Sequence, residues 1–408
     1  MAKSYYNPNT NRRRRTRLRW DRIAVVVAGG ALVFIIVFSL NFNRVRSLFK
    51  GYNFKETKQI LNLKKSQQKE VLSQTKIKHI LVWIDNSTKV ANYDEYEKYY
   101  TMFPEMDVAD VILTVDSILE LQESLSPLGY TDDILWKILK KATVSDLNNL
   151  ITNKYGAEEL MKYYAIDGFI FSNYDAYRTA FATYGDYAYA VNYTNYPFLI
   201  SSNSTNANYL IKNPEELLVL VKKGFYFAED YVPSDLVIPE VNIVEDCENC
   251  YVRKIIEADL KEMFSAAKTL GYNLYIRSAY RSYSEQQATY DDIEYRYGGA
   301  YAAEYVALPG ASEHQTGLGI DLTSQNVLDG VNNVFSDTVD YQWVLENSYK
   351  YGFIVRFDET KKDITGIAHE PWHLRYVGKD VAKIIYEQNL TFEEYCLKYS
   401  ILPNVEQR

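Results

Sequence analysis

The stretch Ser312-Glu313-His314-Gln315-Thr316-Gly317-Leu318-Gly319-Ile320-Asp321, followed further along by Glu370-Pro371-Trp372-His373, decides how this chain is read. The chain has only four histidines, and three of them (His314, His369, His373) lie in or beside these two segments. A hydrolytic zinc site needs three protein ligands of N or O type and one open position. His314 and Asp321 are separated by a run holding Gly317 and Gly319, which let the backbone turn or approach closely. Both side chains can then meet one ion, with His373 as the third ligand from a separate strand. Glu370 precedes His373 closely enough to take a proton from the attacking water.

The same letters hold a competing pattern. His369-Glu370-Pro371-Trp372-His373 fits His-Glu-x-x-His, which works in metalloproteases because both histidines share one helix face. Pro371 opposes that helix, at a cost of about 3 kcal/mol or more. In an extended chain the two histidines stand roughly 13 Å apart and cannot both bind one ion. His369 is therefore read as a neighbour of the site rather than a ligand.

Outward from these motifs, the region after residue 228 alternates helix and strand signals. Ile256, Leu260, Met263, Phe264, Ala267 and Leu270 recur at helical spacing, and Gly271 follows as a stop. Tyr275-Ile276 reads as a strand, Ser282 to Tyr297 as a helix, and Ile320 to Leu322 as a strand entering the site. A helix from Thr338 to Tyr351, a strand from Phe353 to Phe357 and two closing helices follow. Thr391 and Glu394 form a capping box for the last helix. The expectation is an α+β domain over 229–408, with a small antiparallel sheet and flanking helices.

Arg281 sits where the strand around Tyr275 gives way to a helix. There its planar fork can bind a carbonyl or carboxylate. Arg277, still on the strand, reads as a surface residue.

The N-terminal part differs. Residues 1–50 carry eleven Lys/Arg against the single acid Asp21, whereas the whole chain has a net charge of −8. That basic charge flanks an uncharged stretch, Ile23 to Leu40, rather than marking a folded surface, which argues against nucleic acid as a partner. Eighteen residues at 1.5 Å each span roughly 27 Å, close to a bilayer core. Seven arginines between Arg12 and Arg22 precede the stretch. The positive-inside rule then puts a basic tail (1–22) in the cytoplasm, an anchor at 23–42 and the remainder outside.

Residues 43–228 read as a repeat-like α/β spacer or binding region. Gly51-Tyr52 and Gly129-Tyr130 are each followed at the same offset by Ile-Leu. Strand-like runs follow at Ile80–Ile84, Val111–Val115, Tyr187–Val191 and Leu217–Val221. Tyrosine is abundant, at 38 residues, which we attribute to compositional bias although such surfaces suit carbohydrate or peptide. Cys247 and Cys250 can close a small disulfide loop or remain idle thiols.

Ser278-Ala279-Tyr280-Arg281-Ser282, Ser312-Glu313-His314-Gln315-Thr316-Gly317 with Asp321, and Glu370-Pro371-Trp372-His373 together resemble the zinc D-alanyl-D-alanine carboxypeptidase family, which includes vancomycin-resistance D,D-carboxypeptidases and related L,D-carboxypeptidases. The resemblance covers about 228–400. It implies His314, Asp321 and His373 as Zn2+ ligands, Glu370 as catalytic base and Arg281 as the arginine facing the scissile carbonyl. It also implies that Gln286 and Ser312 help hold the peptide. The implied reaction removes a C-terminal D-alanine from peptidoglycan stem peptides outside the membrane. A peptidoglycan endopeptidase and a non-catalytic zinc-containing wall-binding module are the alternatives.

Overall fold

The computed structural model describes residues 20–200 and 207–407. The basic tail expected before residue 20 lies outside them. The chain packs as two units, one ending at Lys154 and the other beginning at Tyr155.

In the first unit every regular element among the described residues is helical. The apolar stretch lies in the helix Trp20–Leu40, where the side chains of residues 20–23, 34, 36–38 and 40 fall outside the described residues. Among the described residues no helix is long and apolar enough to cross a membrane. The expected anchor thus falls partly outside what the structure describes.

The α/β reading of the repeat-like region is corrected. Ile80–Ile84 lies in the helix Ile80–Asn86, Val111–Val115 in Val108–Leu125, and Tyr187–Val191 in Tyr187–Asn195. Leu217–Val221 belongs to no helix or strand. A short apolar run does not by itself distinguish a strand from a buried helix segment. For two of these three helices the deciding signal is a cap, whereas His79 before Ile80–Asn86 makes no side-chain cap. Asp107 accepts from the Ala109 amide at 2.8 Å and Asp186 from the Tyr189 amide at 2.8 Å, each opening a helix just before the run.

The order of helices along this region can be set out in two runs. Helices Phe54–Asn62, Lys65–Ser73, Ile80–Asn86 and Tyr93–Met102 are matched by Asp132–Ile138, Val144–Thr152, Ala157–Tyr164 and Tyr174–Tyr184. A single 3-10 turn precedes the last helix of each set, at Val90–Asn92 and Phe171–Asn173.

The second unit carries the sheet that builds the site. Its strands are β1 (Leu274–Ser278), β2 (Gly319–Ser324), β3 (Phe353–Phe357) and β4 (Glu370–Tyr376), in the order β1-β2-β4-β3 with all neighbours antiparallel. The helix Glu257–Thr269 buries Leu260, Met263, Phe264 and Ala267 in one cluster with Leu274, Ile276, Ile320, Leu322 and Leu374. A second cluster joins Phe225, Phe227, Ile354 and Val377 to Ala382, Ile385, Phe392 and Leu397 from the two closing helices. Thr391 and Glu394 form the anticipated capping box. The helix Tyr187–Asn195 is tied in by Asn192, whose Nδ2 donates to the Leu397 carbonyl at 2.9 Å. Cys247 and Cys250 are joined as a disulfide, and Cys396 is a buried free thiol.

Candidate metal centre and active site

The sheet register brings the site together. Asp321 on β2 is the direct partner of His373 on β4, and Ser278 on β1 is the partner of Asp321 on its other side. His314 comes from the 3-10 turn Glu313–Thr316, which Ser312 caps by accepting from the His314 amide at 3.4 Å. Gly317 ends that turn at φ +65°, where a side chain would also collide with Arg253 and Leu236 at 2.9 Å. Gly319 is needed for space, because a Cβ there would come within 3.2 Å of Glu313 and of the His373 ring.

His314, Asp321 and His373 present donors within 4.8 Å of one another. Asp321 Oδ1 lies 2.9 Å from His373 Nδ1, and Oδ2 lies 3.4 Å from His314 Nε2. The remaining ring nitrogens are engaged elsewhere. His314 Nδ1 donates to the Ala279 carbonyl at 2.5 Å, which leaves Nε2 as its ligand atom. His373 Nε2 faces Glu313 Oε2 at 3.3 Å, which leaves Nδ1 toward the ion. Two oriented imidazoles and a carboxylate converging on one point suit zinc. Phe357 stacks on the His373 ring at 5.2 Å and fixes its plane. His369 stands apart from the ligands, its Nε2 3.4 Å from the Tyr341 hydroxyl.

Glu313 opens a buried ion network that the sequence reading did not assign. Its Oε1 accepts from Arg356 Nε at 2.9 Å and lies 3.2 Å from Arg375 Nη1. Arg356 makes a fork with Glu393, at 3.0 and 2.6 Å. Lys222 Nζ lies 3.8 Å from Glu393 and donates to the Leu199 and Ile364 carbonyls. Arg375 donates to the Leu217 and Val219 carbonyls, which pins that irregular segment. The only signal in the letters was Glu313 lying between Ser312 and His314. Its partners come from distant segments.

Electrostatics follow from this arrangement. Burial pushes the Glu313 carboxyl up, but Arg356 and Arg375 outweigh it and hold it well below the usual carboxylate range. Burial likewise opposes charge on Asp321, and His314 and His373 hold it low. Burial lowers His314. It also works against His373, yet Asp321 and Glu313 raise that ring to about 9. Burial pulls Lys222 down to about 8.

A cavity of about 350 Å³ opens over the three ligands, and Glu370 and Arg281 line it. Burial raises Glu370 to about 7, which suits a group that must take and return a proton near neutrality. Arg281 is held by Gln286 Oε1 at 3.0 Å and Ser278 Oγ at 3.1 Å. Gln286 in turn donates to the Ala307 carbonyl at 2.7 Å. Gln286 and Ser312 both line the cavity and are buried. Arg277 is exposed, as expected of a surface residue.

Comparison with known proteins adds an independent line. A family described as D-alanyl-D-alanine carboxypeptidase matches residues 249–379. The chain is 48% identical over 187 residues to a putative carboxypeptidase, YodJ, of Bacillus subtilis, covering 45% of this chain and 68% of that protein. It is 41% identical over 145 residues to a D-alanyl-D-alanine carboxypeptidase of Enterococcus faecalis, covering 33% of this chain and 52% of that protein. The chain thus spans only about half the length of the enterococcal relative. Among solved structures, the LdcB LD-carboxypeptidase is 45% identical with a TM-score of 0.44, covering 49% of this chain and 95% of that one.

Proposed function

This chain belongs to the zinc D-alanyl-D-alanine carboxypeptidase family, and from that premise we propose that it removes the C-terminal D-alanine from peptidoglycan stem peptides. The single observation that carries the reading is the content of one cavity: three converging ligands, the Glu370 carboxyl and a braced arginine.

Zinc held by His314, Asp321 and His373 supplies Lewis acidity toward the scissile carbonyl and toward water. Glu370 takes the proton from the attacking water as its oxygen bonds to the carbonyl carbon. Arg281, braced by Gln286 and Ser278, donates to the carbonyl oxygen while negative charge develops there. Protonated Glu370 then gives its proton to the leaving amine nitrogen as the C–N bond breaks. The products are free D-alanine and a shortened stem peptide. Ser312 and Gln286 hold the peptide at the cavity wall.

The substrate of this reaction lies outside the cytoplasmic membrane, and we place the catalytic unit there, tethered by the helix Trp20–Leu40. The uncharged run Ile23–Leu40 and the arginines preceding it support that topology. So do Val25, Val26, Val27, Leu32, Val33 and Ile35, apolar side chains that are exposed by 58 to 74%. Incubating the zinc-loaded protein with tetrapeptide and pentapeptide stems, with mass analysis of products, tests the activity. Release of D-alanine from the tetrapeptide, the pentapeptide or both identifies the bond cleaved. Protease protection in intact cells tests the topology.

A further inference from the structure

The helix Gly299–Tyr305 forms part of the cavity wall through Ala303 and Tyr305, and it carries a feature the reaction does not use. Tyr305 stacks on Tyr301 with ring centroids 4.4 Å apart, and Tyr301 packs on Tyr297 at 5.0 Å. Tyr297 ends the preceding helix Tyr283–Tyr297, so the row crosses the Gly298 turn and then follows one face of the helix Gly299–Tyr305. The three rings remain 59%, 42% and 42% exposed for Tyr297, Tyr301 and Tyr305. The helix that carries Tyr301 and Tyr305 is tied to its neighbours through Glu304. The Ala368 amide donates to the Glu304 carbonyl at 3.2 Å, two residues before Glu370, and Lys362 pairs with the Glu304 carboxylate. A line of phenol rings therefore leaves the catalytic cavity and continues onto the open surface.

We propose that this tyrosine row is a platform for the amino-sugar strand that carries the stem peptide. The inference rests on the stem-peptide reading above and adds a second part of the same substrate. Aromatic rings tipped with hydroxyls suit a neutral ligand that is apolar on its ring faces and polar at its rim, which describes a pyranose. A purely structural role, in which neighbouring rings stabilise the helix, would serve equally well with the rings buried. Continuity with the cavity selects the occupant, because a stem peptide seated in the site leaves its glycan end at the cavity mouth.

The test compares a free tetrapeptide with the same peptide carried on its disaccharide, using the zinc-loaded full chain and a Tyr297→Ala/Tyr301→Ala variant. The expected result is a KM about three- to tenfold higher for the disaccharide-linked substrate only, with kcat and the free-peptide kinetics unchanged. Tyr297→Phe/Tyr301→Phe, which keeps the rings, retains most of the wild-type KM. A disaccharide-linked KM in the alanine variant unchanged from wild type, or a parallel rise for both substrates, would overturn the platform. If the wild type cleaves neither peptide, the stem-peptide reading fails. Calorimetric titration of the disaccharide-linked peptide then decides the platform separately: weaker binding to the alanine variant supports it, and equal binding rejects it.

Discussion

Asp321 and His373 face each other across neighbouring antiparallel strands, with Asp321 Oδ1 2.9 Å from His373 Nδ1. Strand register therefore fixes two of the three ligands before any loop is placed. His314 joins them through a capped 3-10 turn that two glycines make possible. Asp321→Ala is expected to remove a ligand and a countercharge to His373 together. Metal analysis of the purified variant should show zinc lost and activity lost with it, while circular dichroism still reports a folded chain.

Glu313 orients His373 from the side away from the ion. Glu313→Gln keeps the shape but removes the charge. Zinc affinity should weaken by about 10–100-fold, the usual scale for such supporting partners. Competition with a chelator measures this directly, and unchanged affinity would remove Glu313 from the ligand-orienting role.

Arg356 sits between Glu313 and Glu393 with all three side chains buried. Arg356→Met leaves two carboxylates without their main partner. The expected loss of stability is about 3–5 kcal/mol, read as a shift in the urea unfolding midpoint. A midpoint within error of wild type would show that the network contributes little.

Two pH effects have definite signs. Without metal, His373 is held up at about 9, so near pH 7 the ring carries a proton that zinc must displace. Zinc binding should release about one proton from this ring, and affinity should rise with pH up to about 9. Calorimetry in buffers of different ionisation enthalpy counts the protons. Glu370 works as a base only when ionised, so kcat/KM should fall on the acid side as it is protonated. Its metal-free value of about 7 marks the upper limit of that limb, because a nearby cation favours the carboxylate.

Much of the catalytic unit was legible because its signals are local. The periodic positions of the helix Glu257–Thr269, the cap at Thr391 and Pro371 in an extended segment each follow from a few adjacent residues. The site letters also cluster, with His314 and Asp321 on one short segment and Glu370 and His373 on another. The ion network was not legible, since Glu313, Arg356, Arg375 and Glu393 meet only after β3, β4 and the last helix have packed. The helical repeats were misread as α/β because runs such as Val111–Val115 are short, apolar and β-branched. Asp107 and Asp186 capped those helices, and a cap outranks a five-residue apolar run as evidence of type.

The central claim, that Glu370 drives release of D-alanine at a His-Asp-His zinc site, is tested most directly by one comparison. Wild type and Glu370→Ala are loaded with zinc, their metal content is measured, and both are given defined stem peptides. The account predicts one zinc in each protein, D-alanine release by the wild type, and a rate about 10²–10⁴-fold lower in the variant. Undiminished release by zinc-loaded Glu370→Ala, or no release by the zinc-loaded wild type, would contradict it.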